Sequence, residues 1–344
     1  MNYISRRQFL HYSSLAIGSS LLTSCVSNNS TTTVKNQKNL DKITFSTNWY
    51  AQAEHGGFYQ AVATGIYQDY GLDVTIRMGN AQVNGTQLLV GGAIDFYMGS
   101  SIEAISSVQT GIPTITVAAI FQKDPQVLIA HPGVGNDSLE QLKGKPILTS
   151  SLSEKGYWQF LKAKYGYTDE QKRPYNFSVA PFLIDKNLVQ QGYLTSEPFT
   201  IQKKGGFEPV VMLLADAGYT PYATTIETTK EMVEKNPDLV QRFVDASIKG
   251  WYSYLKNPEP ANQLIKQENP EMTDELLAYS LEKMQEYGII TSGDAATKGI
   301  GAMTEARWKG FFDTVVEAGV IKPDTNYQAA FTLQFVNKGV EAYQ

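Results

Sequence analysis

From Lys42 onward the chain alternates between two hydrophobic periodicities. KITFSTNW (42–49), LDVTIRMG (72–79), AIDFYMGS (93–100) and PTITVAAIF (113–121) are rich in β-branched and aromatic residues, the composition of strands. Between the first two, Phe58, Val62, Ile66 and Tyr70 recur four apart, which predicts a helix from near Gly56 to a stop at Gly71. VNGTQLLVGG (83–92) and SIEAISSVQTG (101–111) read as further helices. Strands and helices joined by short links make an α/β unit with a largely parallel sheet.

A second α/β unit starts after Pro132. SLEQLKGKPILTSS (138–151) gives a helical turn and a strand, and SEKGYWQFLKAKYG (153–166) a helix. PYNFSVAPF (174–182) reads as a strand, KNLVQQG (186–192) as helical, YLTSEPFTIQK (193–203) and EPVVMLLAD (208–216) as strands. TPYATTIETT (220–229) has the pattern of a strand returning to the first unit. The rest is helical. Asn236-Pro237 supplies a cap and a first-turn proline for a helix whose Leu239, Phe243, Val244, Ile248, Trp251 and Leu255 form one stripe. Thr273 can cap the next long helix, and a last one contains RWKGFFDTVVEAG (307–319). The expected lobes are residues 41–130 with 217–344 (lobe I) and 131–216 (lobe II). Two crossings would leave a cleft faced by the loops after the strands, where open α/β sheets bind ligands.

The first 24 residues lie outside this pattern. Arg6-Arg7 in SRRQFL precedes a mildly apolar stretch that ends in Leu22-Thr23-Ser24-Cys25. The stretch is about half of the ~20 residues needed to span a bilayer. Twin arginines resemble the signal for export of folded proteins, and the final four residues resemble a lipoprotein box. Cys25 is the chain's only cysteine, so it can form no internal disulfide or two-thiol motif, and it stands where acylation requires it. Residues 1–24 therefore read as a twin-arginine signal peptide, and 25–40 as a lipidated Cys and a polar tether. The alternative is an ordinary signal peptide with an accidental Cys. Loss of Arg6 and Arg7 with no acid takes the net charge from −5 to −7. An acidic chain without a long basic run argues against nucleic acid as partner.

Candidate chemistry gathers in the loops that would face the cleft. In NWYAQAEHGG (48–57), Asn48 and Trp49 precede His55 and Gly56 at a helix start: Trp49 can stack on a planar ligand, His55 can donate or accept, and the helix end offers free N–H groups. The alternative is a packed aromatic beside a surface His. Ser100 and Ser101 follow the third strand, as anion-binding hydroxyls or a simple helix cap. Ser151 and Tyr157 sit in the matching loop of the second unit, and Glu197 follows a strand as a ligand acceptor or an exposed acid. Asp216, Tyr219 and Tyr222 lie at the second crossing as hinge or lid residues. His131 stands alone at the first crossing and reads as structural. No nucleophile elbow, HExxH, phosphate loop or metal-spaced cluster occurs, and nothing commits the chain to catalysis or to a cofactor.

NWYAQAEHGGFYQAVATGIYQDYGLDVTI (48–76), GGAIDFYMGSS (91–101), SLEQLKGKPI (138–147), QGYLTSEPF (191–199) and NPDLVQRFVDASIKGW (236–251) together resemble one family. It is the bacterial solute-binding proteins of ABC importers that share a domain with yeast thiamine-pyrimidine synthase; nitrate-, sulfonate- and taurine-binding proteins are more distant relatives. The resemblance implies a type II periplasmic-binding fold closing on one small molecule, with an ABC permease and its ATPase as partners and the membrane reached through the lipid alone. It implies Trp49 stacking, His55 and Glu197 hydrogen-bonding, and Ser100-Ser101 holding a polar or anionic end. The expected ligand is a thiamine pyrimidine precursor or a similar nitrogen heterocycle, with riboflavin, sulfonate, taurine or nitrate as alternatives. Two further alternatives are a pyrimidine-forming synthase, whose Cys-rich iron-binding run this chain lacks, and a sensor lipoprotein.

Overall fold

The computed structural model describes residues 40–343 apart from 81, 151–152, 154–155 and 176–177. Cys25, the expected signal peptide, the expected tether as far as Asn39, and Ser151 therefore lie outside the described residues. The strands are β1 (Asp41–Ser46), β2 (Leu72–Arg77), β3 (Phe96–Gly99), β4 (Thr114–Phe121), β5 (Gln126–Ala130), β6 (Ile147–Thr149), β7 (Lys172–Pro174), β8 (Val189–Tyr193), β9 (Val210–Leu213) and β10 (Ala223–Thr229). They form two five-stranded sheets, ordered β2-β1-β3-β10-β4 and β7-β6-β8-β5-β9. Each sheet is the floor of one α/β lobe.

Each sheet is parallel but for one strand. In the first, β1 runs parallel to β2 and β3, but β10 is antiparallel to β3 and β4. In the second, β6 is parallel to β7 and β8, and β5 is antiparallel to β8 and β9. The reversed strand in each case is the one by which the chain enters that sheet after a crossing. β5 also moves the expected boundary. It falls within the residues assigned to lobe I, yet it pairs in the second sheet, so the first crossing is Gln122–Pro125 rather than near residue 130.

Several local expectations fail. Residues 189–192 of the stretch read as helical lie in β8, and most of the stretch read as a strand from Tyr193 falls in the helix Glu197–Gly205. Among the described residues of the PYNFSVAPF stretch only Pro174 is in a strand, and the helix Ala180–Ile184 takes up its end. The helix expected to reach Gly71 ends at Ala63, because Gly65 adopts φ +76 and breaks it before a short turn, Ile66–Asp69. Asn236 caps by position only: its amide lies against the Met232 sulfur. Thr273 caps as expected, its hydroxyl accepting from the Leu276 N–H at 3.2 Å.

The core of lobe I is organised by the helix Pro237–Lys256. It buries Val240, Phe243, Val244, Ile248, Trp251 and Tyr254, while Leu239 and Leu255 sit at the margin. Phe243 stacks on Phe96 of β3 with centroids 4.0 Å apart. The helix Gly56–Ala63 crosses it at closest approach, since a Cβ on Gly250 would lie 2.3 Å from the Gly57 carbonyl. Aromatic pairs of this kind add about 0.5–1.5 kcal/mol beyond the area they bury. Their rigidity fixes the loop that precedes the first helix.

Candidate functional site

Between the lobes lies a cleft of about 1550 Å³, lined from lobe I by the loops after β1 and β3 and from lobe II by those after β6 and β8. The first loop is held by Thr47, whose hydroxyl donates to the Trp49 carbonyl (2.8 Å) and accepts from the Gly79 N–H (2.9 Å). Asn48 and Trp49 are thereby left half-buried on the cleft wall. His55 also lines it but is only 1% exposed. Burial lowers its pKa to about 3, so the imidazole is neutral, and its Nδ1 is buried without a protein partner. The surface-His alternative is excluded.

Gly56 does something else. A Cβ there would lie 2.2 Å from the Tyr254 ring, and one on Gly57 would lie 2.2 Å from Trp251. The pair of glycines admits two aromatic rings of the long helix, and Gly56 is not among the lining residues. Its assignment to the ligand is corrected to helix packing.

Ser100 and Ser101 also part company. Ser100 lines the cleft, and its hydroxyl donates to Glu103 Oε2 at 3.1 Å instead of capping the helix Ser101–Gln109. Ser101 is buried, exchanging hydrogen bonds with the Tyr222 backbone (Tyr222 N–H to Oγ, 3.0 Å), which ties β3 to the second crossing. Tyr222 likewise faces inward: its hydroxyl donates to Asp294 Oδ2 at 2.7 Å and accepts from the Thr304 N–H. Asp216 pairs with Lys123 at 2.8 Å, with its side chain 65% exposed. Ser101, Tyr222 and Asp216 are thus joints of the crossings rather than lining residues, whereas Tyr219 does line the cleft. Arg307, which the sequence did not single out, donates to the carbonyls of Gln122 (2.8 Å) and Thr220 (3.1 Å), one on each crossing.

The lobe II wall is a hydroxyl network. The Tyr157 hydroxyl donates to Gln191 Oε1 at 2.8 Å, the Ser150 N–H donates to the same oxygen at 2.6 Å, and Thr149 joins both. Glu197 opens the helix Glu197–Gly205 and accepts from the Tyr193 N–H (2.8 Å) and the Tyr175 hydroxyl (3.1 Å). Gly192 makes room for it, since a Cβ there would come within 2.8 Å of Glu197 Cβ. His131 is structural, stacked between Phe182 and Phe207 with Nε2 bonded to the Phe182 carbonyl at 2.7 Å.

The decisive feature is charge. Glu54, Glu103, Asp124 and Glu197 line the cleft, and no Lys or Arg is among its described lining residues. Burial raises Glu54 to about 7, although the Thr195 hydroxyl donates to it, and raises Asp124 to about 6. Glu197 is raised by burial, and Glu227, just behind the wall, well raised by burial and then by Glu103. Aromatic faces come from Trp49, Tyr157, Tyr175, Tyr193 and Tyr219. Such a surface stacks on rings and hydrogen-bonds polar groups on them; among the described lining residues it has no side-chain cation to compensate an anion.

Two α/β lobes joined by two crossings around one cleft define the type II periplasmic-binding fold. The solved periplasmic aliphatic sulphonate binding protein SsuA of Escherichia coli has the same fold, with a TM-score of 0.63 at 12% identity over 84% of this chain and 91% of that one. Residues 52–261 match the family described as NMT1/THI5 like, and the chain belongs to it. A riboflavin-binding protein, RibY, of Chloroflexus aurantiacus is 26% identical over 88% of both chains. A formylaminopyrimidine-binding protein of Halalkalibacterium halodurans is 22% identical over 79% of this chain and 85% of its own. A 4-amino-5-hydroxymethyl-2-methylpyrimidine phosphate synthase of Schizosaccharomyces pombe is 26% identical over 63% and 67%.

Proposed function

We propose that this protein is the extracytoplasmic solute-binding component of an ABC importer, held to the membrane through Cys25, and that its ligand is an uncharged planar nitrogen heterocycle. The observation that carries the ligand class is the cleft wall: aromatic faces with acidic acceptors and, among described residues, no basic side chain. Trp49 stacks on the ring. Glu197, oriented by Tyr193 and Tyr175, accepts from ring N–H groups. Neutral His55 supplies a further hydrogen bond, and Gln191, locked by Ser150 and Tyr157, presents a fixed wall opposite. Lobe closure about the Gln122–Pro125 and second crossings presents a ligand-dependent face to the permease.

A cleft of about 1550 Å³ has room for a ring system of flavin size as well as for a single pyrimidine. The extended similarity to a riboflavin-binding protein favours the larger ring. Sulfonate, taurine and nitrate are disfavoured because no Lys or Arg is among the described lining residues. A pyrimidine-forming synthase is disfavoured because the only Cys is Cys25.

A thermal-shift panel tests the reading with riboflavin, aminopyrimidines, taurine, an alkanesulfonate and nitrate. A ligand at about 100 times its Kd adds roughly 2.7 kcal/mol, a shift of several degrees. The heterocycles should shift the melt and the anions should not; a shift with an anion alone would overturn the reading.

A further inference from the structure

We propose that the corner after β8, residues 194–196, is a third joint between the lobes, made by hydrogen bonds rather than by the chain, and that it loosens as pH rises so that the empty cleft opens wider. The inference goes beyond the ligand reading and holds whatever the cleft binds. It starts from where the corner sits. The Leu194 N–H donates to the Pro125 carbonyl at 2.8 Å, which fastens the corner to the first crossing. On its other side lies the lobe I helix Asp274–Glu286. Ser280 on that helix donates its hydroxyl to the Thr195 carbonyl at 2.7 Å, and Tyr279 donates to the Leu194 carbonyl at 3.2 Å. The Tyr279 ring also packs on Phe199, with centroids 5.1 Å apart. The same helix is tied back to the first crossing just beyond its end, where the Gln122 N–H donates to the Ile289 carbonyl at 2.7 Å. It is thus a strut of lobe I that runs from the crossing to the lobe II corner.

Glu54 is the part of the joint that titrates. Glu54 and Thr195 are both buried, and the Thr195 hydroxyl donates to Glu54 Oε1 across the lobes. Burial raises this carboxyl to about 7, against the Thr195 hydroxyl and its own backbone N–H, with Glu197 adding to the rise. No Lys or Arg is among the described groups that act on it. His55 beside it is neutral, its pKa lowered to about 3 by burial. The other titratable groups around it are phenols kept neutral by burial: Tyr193 from β8, Tyr254 from the long helix and Tyr279 from the strut. The helix Gly56–Ala63 brings only Tyr59, whose hydroxyl donates to Glu268. A proton on Glu54 lets the joint stay dry. Without it a carboxylate is left in the seam with two donors, and opening the joint to water is what solvates it. The closed joint keeps the proton up to about 7 and the opened, hydrated one only to about 4.5, so closure weakens as pH rises between those values. Tenfold for each pH unit sets the limit at about 300-fold. The two crossings are covalent and have no such dependence.

The test measures lobe separation by spin-label distances at pH 5 and pH 8, on the full chain carrying Cys25→Ser and without ligand. Labels go on Val90→Cys in lobe I and Ile184→Cys in lobe II, both exposed in the parent. The distance distribution should move to longer separations at pH 8. Glu54→Gln, which keeps an acceptor for Thr195 but cannot ionise, should give the pH 5 distribution at both values. Ser280→Ala removes one bond of the joint and no titrating group, so at pH 5 it should already lie at longer separations than the parent. Thermal melts at both pH values report that each variant is folded. A distribution that does not move with pH, or a movement that Glu54→Gln also shows, overturns the proposal. So does a Ser280→Ala variant that matches the parent at both values.

Discussion

Glu54 gives the sharpest stability prediction. Its side chain is 2% exposed, and burial lifts its carboxyl from an ordinary 4.5 to about 7 against the lowering effect of the Thr195 hydroxyl. Between those values the unfolded chain has lost its proton while the folded chain keeps it. The folded state binds more protons, so stability falls as pH rises through that window, and the loss is complete above 7. The size follows from the shift, roughly 3 kcal/mol at about 1.4 kcal/mol per unit. Glu54→Gln keeps the shape and an acceptor for Thr195 but cannot ionise. Its advantage over the parent should therefore grow by roughly 3 kcal/mol between pH 4.5 and pH 8, or about 5 °C in melting temperature for a body of this size. Paired thermal melts across that range measure it. A gap that stays constant with pH would refute the buried, proton-retaining carboxyl.

Other outcomes follow from the same geometry. Trp49→Ala, at a half-buried loop position, should leave the melt within about 1 kcal/mol and weaken a ring ligand by 1–3 kcal/mol, roughly 10- to 100-fold, in a titration. Gly57→Ala forces a Cβ into the Trp251 ring and should cost about 1–3 kcal/mol by denaturant melt. Asp216→Ala removes an exposed ion pair with Lys123; it should change stability by less than about 1 kcal/mol and leave ligand affinity within roughly 2-fold.

Much of the architecture was legible from residue patterning. The alternation of strand and helix, the returning strand TPYATTIETT and the stripe on Pro237–Lys256 all mark real elements. The failures have physical causes. β8 hides because Gln190 and Gln191 are buried in the sheet, and their polarity erases the apolar period; Gln191 is there to orient Ser150 and Tyr157. β5 is buried at every position, so its run shows no alternation to mark it. The helix at Glu197 carried its signal, a proline in the first turn, but the β-like residues after it outweighed that.

Trp49, His55, Ser100, Tyr157 and Glu197, read from the sequence as residues following strands, line the cleft. Gly56, Ser101 and Tyr222 were not separable from them, because a close helix crossing and a chain crossing use the same small and hydroxylated residues as a pocket. The acidic character of the cleft was not legible at all. Glu54, Glu103, Asp124 and Glu197 are far apart in sequence and meet only through the sheet order and the crossings.

The central claim is that the cleft takes a neutral heterocycle and not an anion. Isothermal titration of the parent protein with riboflavin and, separately, with an alkanesulfonate tests it most directly. Riboflavin should show one saturable site, with heat that the Trp49→Ala variant loses, and the sulfonate no heat of binding. Saturable binding of the sulfonate with none for riboflavin would contradict it.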